Sequence, residues 1–326
     1  MAASEMVQEL IRAHVAGDSD RFRTIALQLA ASEARVGHRL VAGRIRDLVD
    51  EDKERAKTQP APPTPLARPP RDLRGLLVTT YPKERLRDIV LKRSTQRVLE
   101  RLLQEHRSRA RLADHGLAPR RKMLFYGPPG CGKTLAASVI AGELALPLVR
   151  IRVETIFSRY LGETAGLLAE IFSEMERVRG VYLFDEFDAI ARRRSEQHDV
   201  GEAKRVVATF LQLLDGDASA SLIVAATNVT DQIDRAVFRR FDDVAEFSLP
   251  DVSQLNQLLA IRTAATGLPK AALPELAKLA SGLSFADVAR AVDDARKSMV
   301  LSGRKRMSVQ DLRGELNEAL TRPLPD

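Results

Sequence analysis

The stretch Gly127-Pro128-Pro129-Gly130-Cys131-Gly132-Lys133-Thr134 is entered from the apolar run Met123-Leu124-Phe125-Tyr126 and followed, from Leu135 to Leu146, by a helical run. Strand, glycine-rich loop and helix in this order predict a phosphate-binding loop. The glycines let the backbone curl so that several N–H groups point inward at a polyphosphate, and the helix beginning near Lys133 adds the positive end of its dipole. Lys133 supplies a point charge for the β- and γ-phosphates, and Thr134 a hydroxyl for Mg²⁺. The whole run from Pro128 and Pro129 to Leu135 is expected to line the nucleotide.

Downstream, Val181-Tyr182-Leu183-Phe184 is an apolar strand that ends in Asp185-Glu186. Asp185 is placed to hold Mg²⁺ through its water shell, and Glu186 to orient and deprotonate an attacking water. Their spacing from Lys133 is that of an ATPase. A third strand, Leu222-Ile223-Val224-Ala225-Ala226, ends in Thr227-Asn228. The Asn228 amide can reach the γ-phosphate or the attacking water, although Asn after a strand is usually a turn residue.

Outward from these motifs, apolar runs at 123–126, 148–153, 181–184, 222–226 and 243–247 alternate with helical periods between about residues 73 and 250. Buried strands separated by helices predict an α/β domain with a mostly parallel sheet covered on both faces. Its ligand belongs at the carboxyl ends of the strands, where the phosphate loop lies. After Asp251 the strand pattern stops. Helical segments at 254–266, 272–280, 284–301 and 309–320 predict an α-helical lid over residues 251–326.

Residues 1–57 read as a small helical module. Ser4 caps a helix carrying Val7, Leu10, Ile11 and Val15, which Gly17 ends; a second carries Phe22, Ile25, Ala26 and Leu29, and a third carries Leu40, Val41, Ile45, Leu48 and Val49. A core of this size is marginal, so the module is expected to lean on a partner or on the rest of the chain. Residues 58–72 include Pro60, Pro62, Pro63, Pro65, Pro69 and Pro70 and read as an extended tether, which either recruits something through the module or only spaces subunits.

Composition narrows the classes. No apolar run approaches the roughly 20 residues that cross a bilayer, and the first residues lack a signal pattern. One cysteine and five scattered histidines give no disulfide and no metal-ligand cluster, which suits a reducing cytoplasm. The net charge of +7 is uneven: residues 68–122 hold 16 Lys/Arg against 6 Asp/Glu, whereas residues 1–58 hold 10 of each. This basic stretch is either a solvated face or an electrostatic footprint for nucleic acid or an acidic partner. The lack of interleaved aromatic residues favours the solvated face.

The phosphate loop, the Asp-Glu strand, the Thr-Asn strand and Ile233-Asp234-Arg235-Ala236-Val237-Phe238-Arg239-Arg240-Phe241-Asp242, in this order before a helical lid, resemble the AAA family of ATPases over residues 81–320. The resemblance implies ATP and Mg²⁺ as ligands and a ring, a hexamer, in which Arg239 and Arg240 reach the ATP site of the next subunit. An arginine so delivered is worth roughly 10³ to 10⁵ in rate. The shortened Arg-Arg-Phe form is similar to katanin- and spastin-like members. So is Ser158-Arg159-Tyr160-Leu161-Gly162-Glu163-Thr164, which implies that Tyr160 and Leu161 grip an extended polypeptide in a central pore. A second pore loop is implied near 194–201, with His198 facing the channel. Residues 202–216 and Asp188 resemble positions that face the neighbouring subunit. Asp88 and the lid residue Ala286 are implied beside the nucleotide, although Phe285 stands where the family usually has glycine.

The layout also resembles small bacterial ATPases found with a subtilisin-like protease, which makes such a protease a candidate partner. The expected activity is therefore an ATP-driven remodeller of a protein client. The alternative is a nucleic-acid-associated ATP switch that uses the basic stretch; a scaffold that binds ATP without hydrolysing it fits poorly with the presence of Glu186.

Overall fold

The computed structural model describes residues 9, 25–26, 28–30, 32, 37–38, 41–44, 73, 75–153, 164–187, 200–228 and 235–322, with the side chains of 200–205 and 235–236 outside that description. Two compact units divide the chain at Pro62 and Pro63.

In the first unit the described residues 25–26, 28–30, 32 and 41–44 are helical. Ile25, Ala26 and Ala30 are buried, while Phe22 of the expected second helix lies outside the described residues. Of the expected third stripe only Val41 is described, and it is 49% exposed beside the buried Ala42; Leu40, Ile45, Leu48 and Val49 lie outside the described residues. The expected first helix, apart from residue 9, and the whole expected tether at 58–72 lie outside the described residues.

The second unit begins with β1 (Leu77–Thr80), α1 (Arg93–Arg107) and α2 (Arg109–Asp114), then β2 (Lys122–Tyr126), α3 (Lys133–Leu144) and β3 (Leu148–Arg152). There follow α4 (Thr164–Arg177), β4 (Val181–Asp185), α5 (Val200–Gly216), β5 (Leu222–Thr227), α6 (Arg235–Phe238) and β6 (Asp243–Glu246). The six strands lie in the order β1-β3-β4-β5-β2-β6. β3, β4, β5, β2 and β6 are parallel, and β1 pairs antiparallel with β3 at the rim. The sequence reading missed β1. Its four residues form a rim strand with only Leu77 buried, too short and too little buried to leave a clear pattern.

Strand alternation divides the core into two layers. Tyr182, Phe184, Ile223, Ala225 and Leu124 face α4 and α5, where Phe172 and Phe210 pack against Phe184. Val181, Leu183, Val224, Met123 and Phe125 face α1 and α3, meeting Leu99, Leu103, Ala137 and Ile140. The sheet is thus buried on both sides, as its near-continuous apolar strands require.

Four further helices complete the unit: α7 (Val252–Thr263), α8 (Leu273–Leu279), α9 (Phe285–Leu301) and α10 (Val309–Thr321). They enclose a core of their own, with Leu255, Leu259, Leu276, Val288, Val292, Leu312 and Leu316 buried. Asp251 accepts from Gln254 N at 2.8 Å in a capping box, which starts α7 two residues before its expected position at 254. No described helix is long and apolar enough to cross a membrane.

Candidate active site

The site forms where β2 passes into α3. Gly127, Gly130 and Gly132 have φ of 137°, 73° and 95°, values that favour glycine. A Cβ on Gly127 would lie 1.9 Å from the Phe247 carbonyl oxygen, and one on Gly130 would lie 2.4 Å from Ser284 Oγ. At these positions the backbone can therefore turn only as glycine, and the turn leads into the N-terminus of α3, the helix end that suits an anion.

Lys133 is 7% exposed, and an ammonium so buried needs acceptors. It donates to Gly127 O at 2.6 Å, Pro128 O at 2.9 Å and Asn228 Oδ1 at 2.8 Å. The loop lysine and the amide at the end of β5 are thereby joined, because β2 and β5 are neighbours in register. Thr134 Oγ1 donates to Asp185 Oδ2 at 3.1 Å, across from the end of β4. A hydroxyl and a carboxylate in contact form the hard-oxygen donor set that suits Mg²⁺, so the residues present fit that ion. Glu186 follows with φ of 54°, a left-handed backbone uncommon for a non-glycine residue. Its N–H donates to Asp185 Oδ1 at 3.2 Å, and Phe187 N donates to Ala226 O at 2.8 Å, which anchors the turn to β5.

These groups line one cleft of about 540 Å³. On it converge Asp88, the loop from Pro129 to Leu135, Asp185, Glu186 and Asn228, together with Leu258, Arg262, Phe285, Ala286 and Ala289 from the helical segment. Asp88 ends a short 3₁₀ turn and accepts from Arg85 N at 2.8 Å. The helical segment touches the loop directly: Ala286 N donates to Gly130 O at 3.1 Å. Cys131 is 2% exposed, and burial pushes its thiol pKa up.

The structure thus brings together the expected residues Lys133, Thr134, Asp185, Glu186, Asn228, Asp88 and Ala286. Pro128 enters through its carbonyl, which accepts from Lys133. Arg239 and Arg240 are exposed and do not line this cleft; Arg240 pairs with Asp215 at the end of α5. Tyr160, Leu161, Asp188 and His198 lie outside the described residues. Arg150, Leu258 and Arg262 were missed. Arg150 left one usable signal, a cation between the buried residues Val149 and Ile151 on a central strand.

Residues 123–249 match the family described as "ATPase family associated with various cellular activities (AAA)". An AAA family ATPase of Sinorhizobium fredii is 34% identical over 323 residues, covering 99% of this chain and 97% of that protein. The chain belongs to the AAA family of ATPases. As an AAA ATPase it uses ATP with Mg²⁺ and hydrolyses it. A proteasome-activating nucleotidase of Aeropyrum pernix is 35% identical over 206 residues, 60% of this chain and 50% of that protein. A cell division cycle protein 48 homolog of Archaeoglobus fulgidus is 41% identical over 180 residues, 53% and 24% respectively. Against these two archaeal AAA proteins the chain thus spans half of the first and a quarter of the second.

Proposed function

We propose that this AAA ATPase is a protein remodeller of the katanin- and spastin-like kind, working in the cytoplasm as a ring of six copies that draws a polypeptide through its centre. The observation that carries the ATP-driven part of this reading is the convergence on one cleft of Lys133, the Thr134–Asp185 pair, Glu186 and Asn228, lined also by Phe285 and Ala286. Bound Mg²⁺ supplies charge neutralisation at the phosphates. Lys133 and the loop N–H groups hold the triphosphate, Thr134 and Asp185 hold the metal, and Glu186 takes the proton from water. Asn228, within hydrogen-bonding distance of Lys133, senses the terminal phosphate.

Arg239 and Arg240, exposed and away from their own cleft, serve the cleft of a neighbouring copy. Tyr160 and Leu161 grip the client, with the second loop at 194–201 below them. Residues 251–326 act as the lid, and the 1–57 module on its 58–72 tether brings in the client or an accessory protein, for which a subtilisin-like protease is a candidate. The relatives named as a proteasome-activating nucleotidase and a cell division cycle protein 48 homolog support a protein client. The nucleic-acid reading loses some ground because five of the sixteen basic residues are taken up by carboxylates of the fold: Lys92, Arg101, Arg107, Arg120 and Arg121 pair with Glu246, Asp243, Glu143, Glu105 and Asp217.

The test is light scattering of Glu186→Gln with and without Mg-ATP, since that variant keeps binding and blocks hydrolysis. A shift to about six copies supports the ring; a monomer in both conditions sinks it.

A further inference from the structure

Arg150 projects from β3 into the same cleft, and its Nη2 lies 3.0 Å from Asp185 Oδ2. That oxygen already accepts from Thr134 Oγ1 at 3.1 Å, while Asp185 Oδ1 takes the Glu186 N–H at 3.2 Å. Three donors therefore meet the two oxygens of one carboxylate. In the sheet Arg150 registers against Leu183 and Arg152 against Asp185, so the guanidinium reaches the carboxylate diagonally from a neighbouring strand.

We infer that Arg150 is a positioning residue of the metal site, a guanidinium that competes with Mg²⁺ for the Asp185 carboxylate and so sets how much of the cation the site requires. The inference rests on the reading of this cleft as the Mg-nucleotide site. Mg²⁺ in such sites keeps several waters and is held by one or two carboxylates and the substrate phosphates. A metal-bound water that donates to Asp185 Oδ2 must displace one of the two donors there, and the guanidinium is also repelled by the dication. Before the metal enters, these three donors keep the Asp185 carboxylate oriented. The pair is partly solvated, with side-chain exposures of 48% for Arg150 and 20% for Asp185, so the competition is modest and reversible.

The full chain is titrated with Mg²⁺ while binding of a fluorescent N-methylanthraniloyl ATP analogue is followed, with a parallel series in EDTA. In Arg150→Gln the Mg²⁺ concentration for half-maximal effect falls about two- to fivefold, the size expected of a partly exposed ion pair. Affinity in EDTA stays unchanged. Arg150→Met, a second neutral variant that keeps an apolar stem on the strand, shifts the same way, and Arg150→Lys, which keeps the charge, stays near the wild type. An unchanged or raised Mg²⁺ requirement in the neutral variants overturns the inference, as does an EDTA affinity that falls with them or a lysine variant that behaves like the glutamine one. If the wild-type chain shows no Mg²⁺-dependent binding of the analogue, it is the reading of the cleft itself that fails.

Discussion

Ala286 N donates to the carbonyl of Gly130 at 3.1 Å, which ties the first turn of α9 to the middle of the phosphate loop. Ser284 caps the same helix and lies where a Gly130 side chain would have to be. The loop and the helical segment are therefore fitted to each other as well as to a ligand.

Gly130→Ala puts a Cβ into Ser284 Oγ at a residue with φ of 73°. The expected cost is about 1–3 kcal/mol of stability, read by denaturant unfolding, with nucleotide affinity lowered at least tenfold, a loss beyond what the stability change explains. Unchanged affinity would mean that the helical segment does not govern the loop.

Glu186→Gln keeps the shape of the side chain and removes its basicity. Turnover is expected to fall about 10²- to 10⁴-fold with ATP affinity preserved, whereas Lys133→Ala loses binding itself. A Glu186→Gln chain that still turns over ATP at the wild-type rate places the base elsewhere.

Arg240 and Asp215 are 49% and 40% exposed, so their pair contributes at most about 1 kcal/mol. Arg240→Ala should leave the melting temperature nearly unchanged. If the arginine serves a neighbouring copy, the same variant loses about 10³-fold or more in turnover, and mixing it with Glu186→Gln chains restores part of the activity. A large stability loss with modest kinetic change would make Arg240 a structural residue of its own chain.

His106 is 6% exposed, with its Nε2 2.6 Å from Arg120 O and its Nδ1 buried without a partner. Burial is the main cause that lowers its pKa below the ordinary 6.5. The unfolded chain then takes up the proton first as the pH falls, so the stability present above about pH 6.5 is lost on acidification through the folded-state pKa. His106→Gln, which can still donate to Arg120 O, should flatten that part of the profile between pH 7.5 and 5, as read by urea midpoints. An unaltered slope assigns the acid sensitivity to other groups.

Cys131, buried with its pKa raised, should react slowly with maleimide in the folded chain and rapidly once unfolded. Mg-ATP slows it further if the loop closes on phosphate. Fast labelling of the native chain would contradict the burial.

The residues that meet in the candidate cleft were legible because their spacing is local: Gly130, Gly132, Lys133 and Thr134 lie in one turn, and Asp185 and Glu186 end one apolar strand. The strands at 123–126 and 222–226 were found for the same reason, since burial on both faces leaves unbroken apolar runs. What escaped depends on distant neighbours. β1 exists only because β3 offers it a rim to pair with. Arg150, Leu258 and Arg262 belong to the site through strand register and through the docking of α7 and α9, neither of which leaves a periodic trace.

The two rims of the sheet are also its shortest strands, β1 and β6, with four residues each. α1 lies along β6, with Thr95 Oγ1 on Glu246 O and with Lys92 and Arg101 over Glu246 and Asp243. Little main chain is left for a stranger to zip onto, and charge guards what remains. An assembly of copies, as proposed above, would then join side chains on helices and turns rather than sheet edges, and a subunit leaving it would carry no adhesive seam along these two rims.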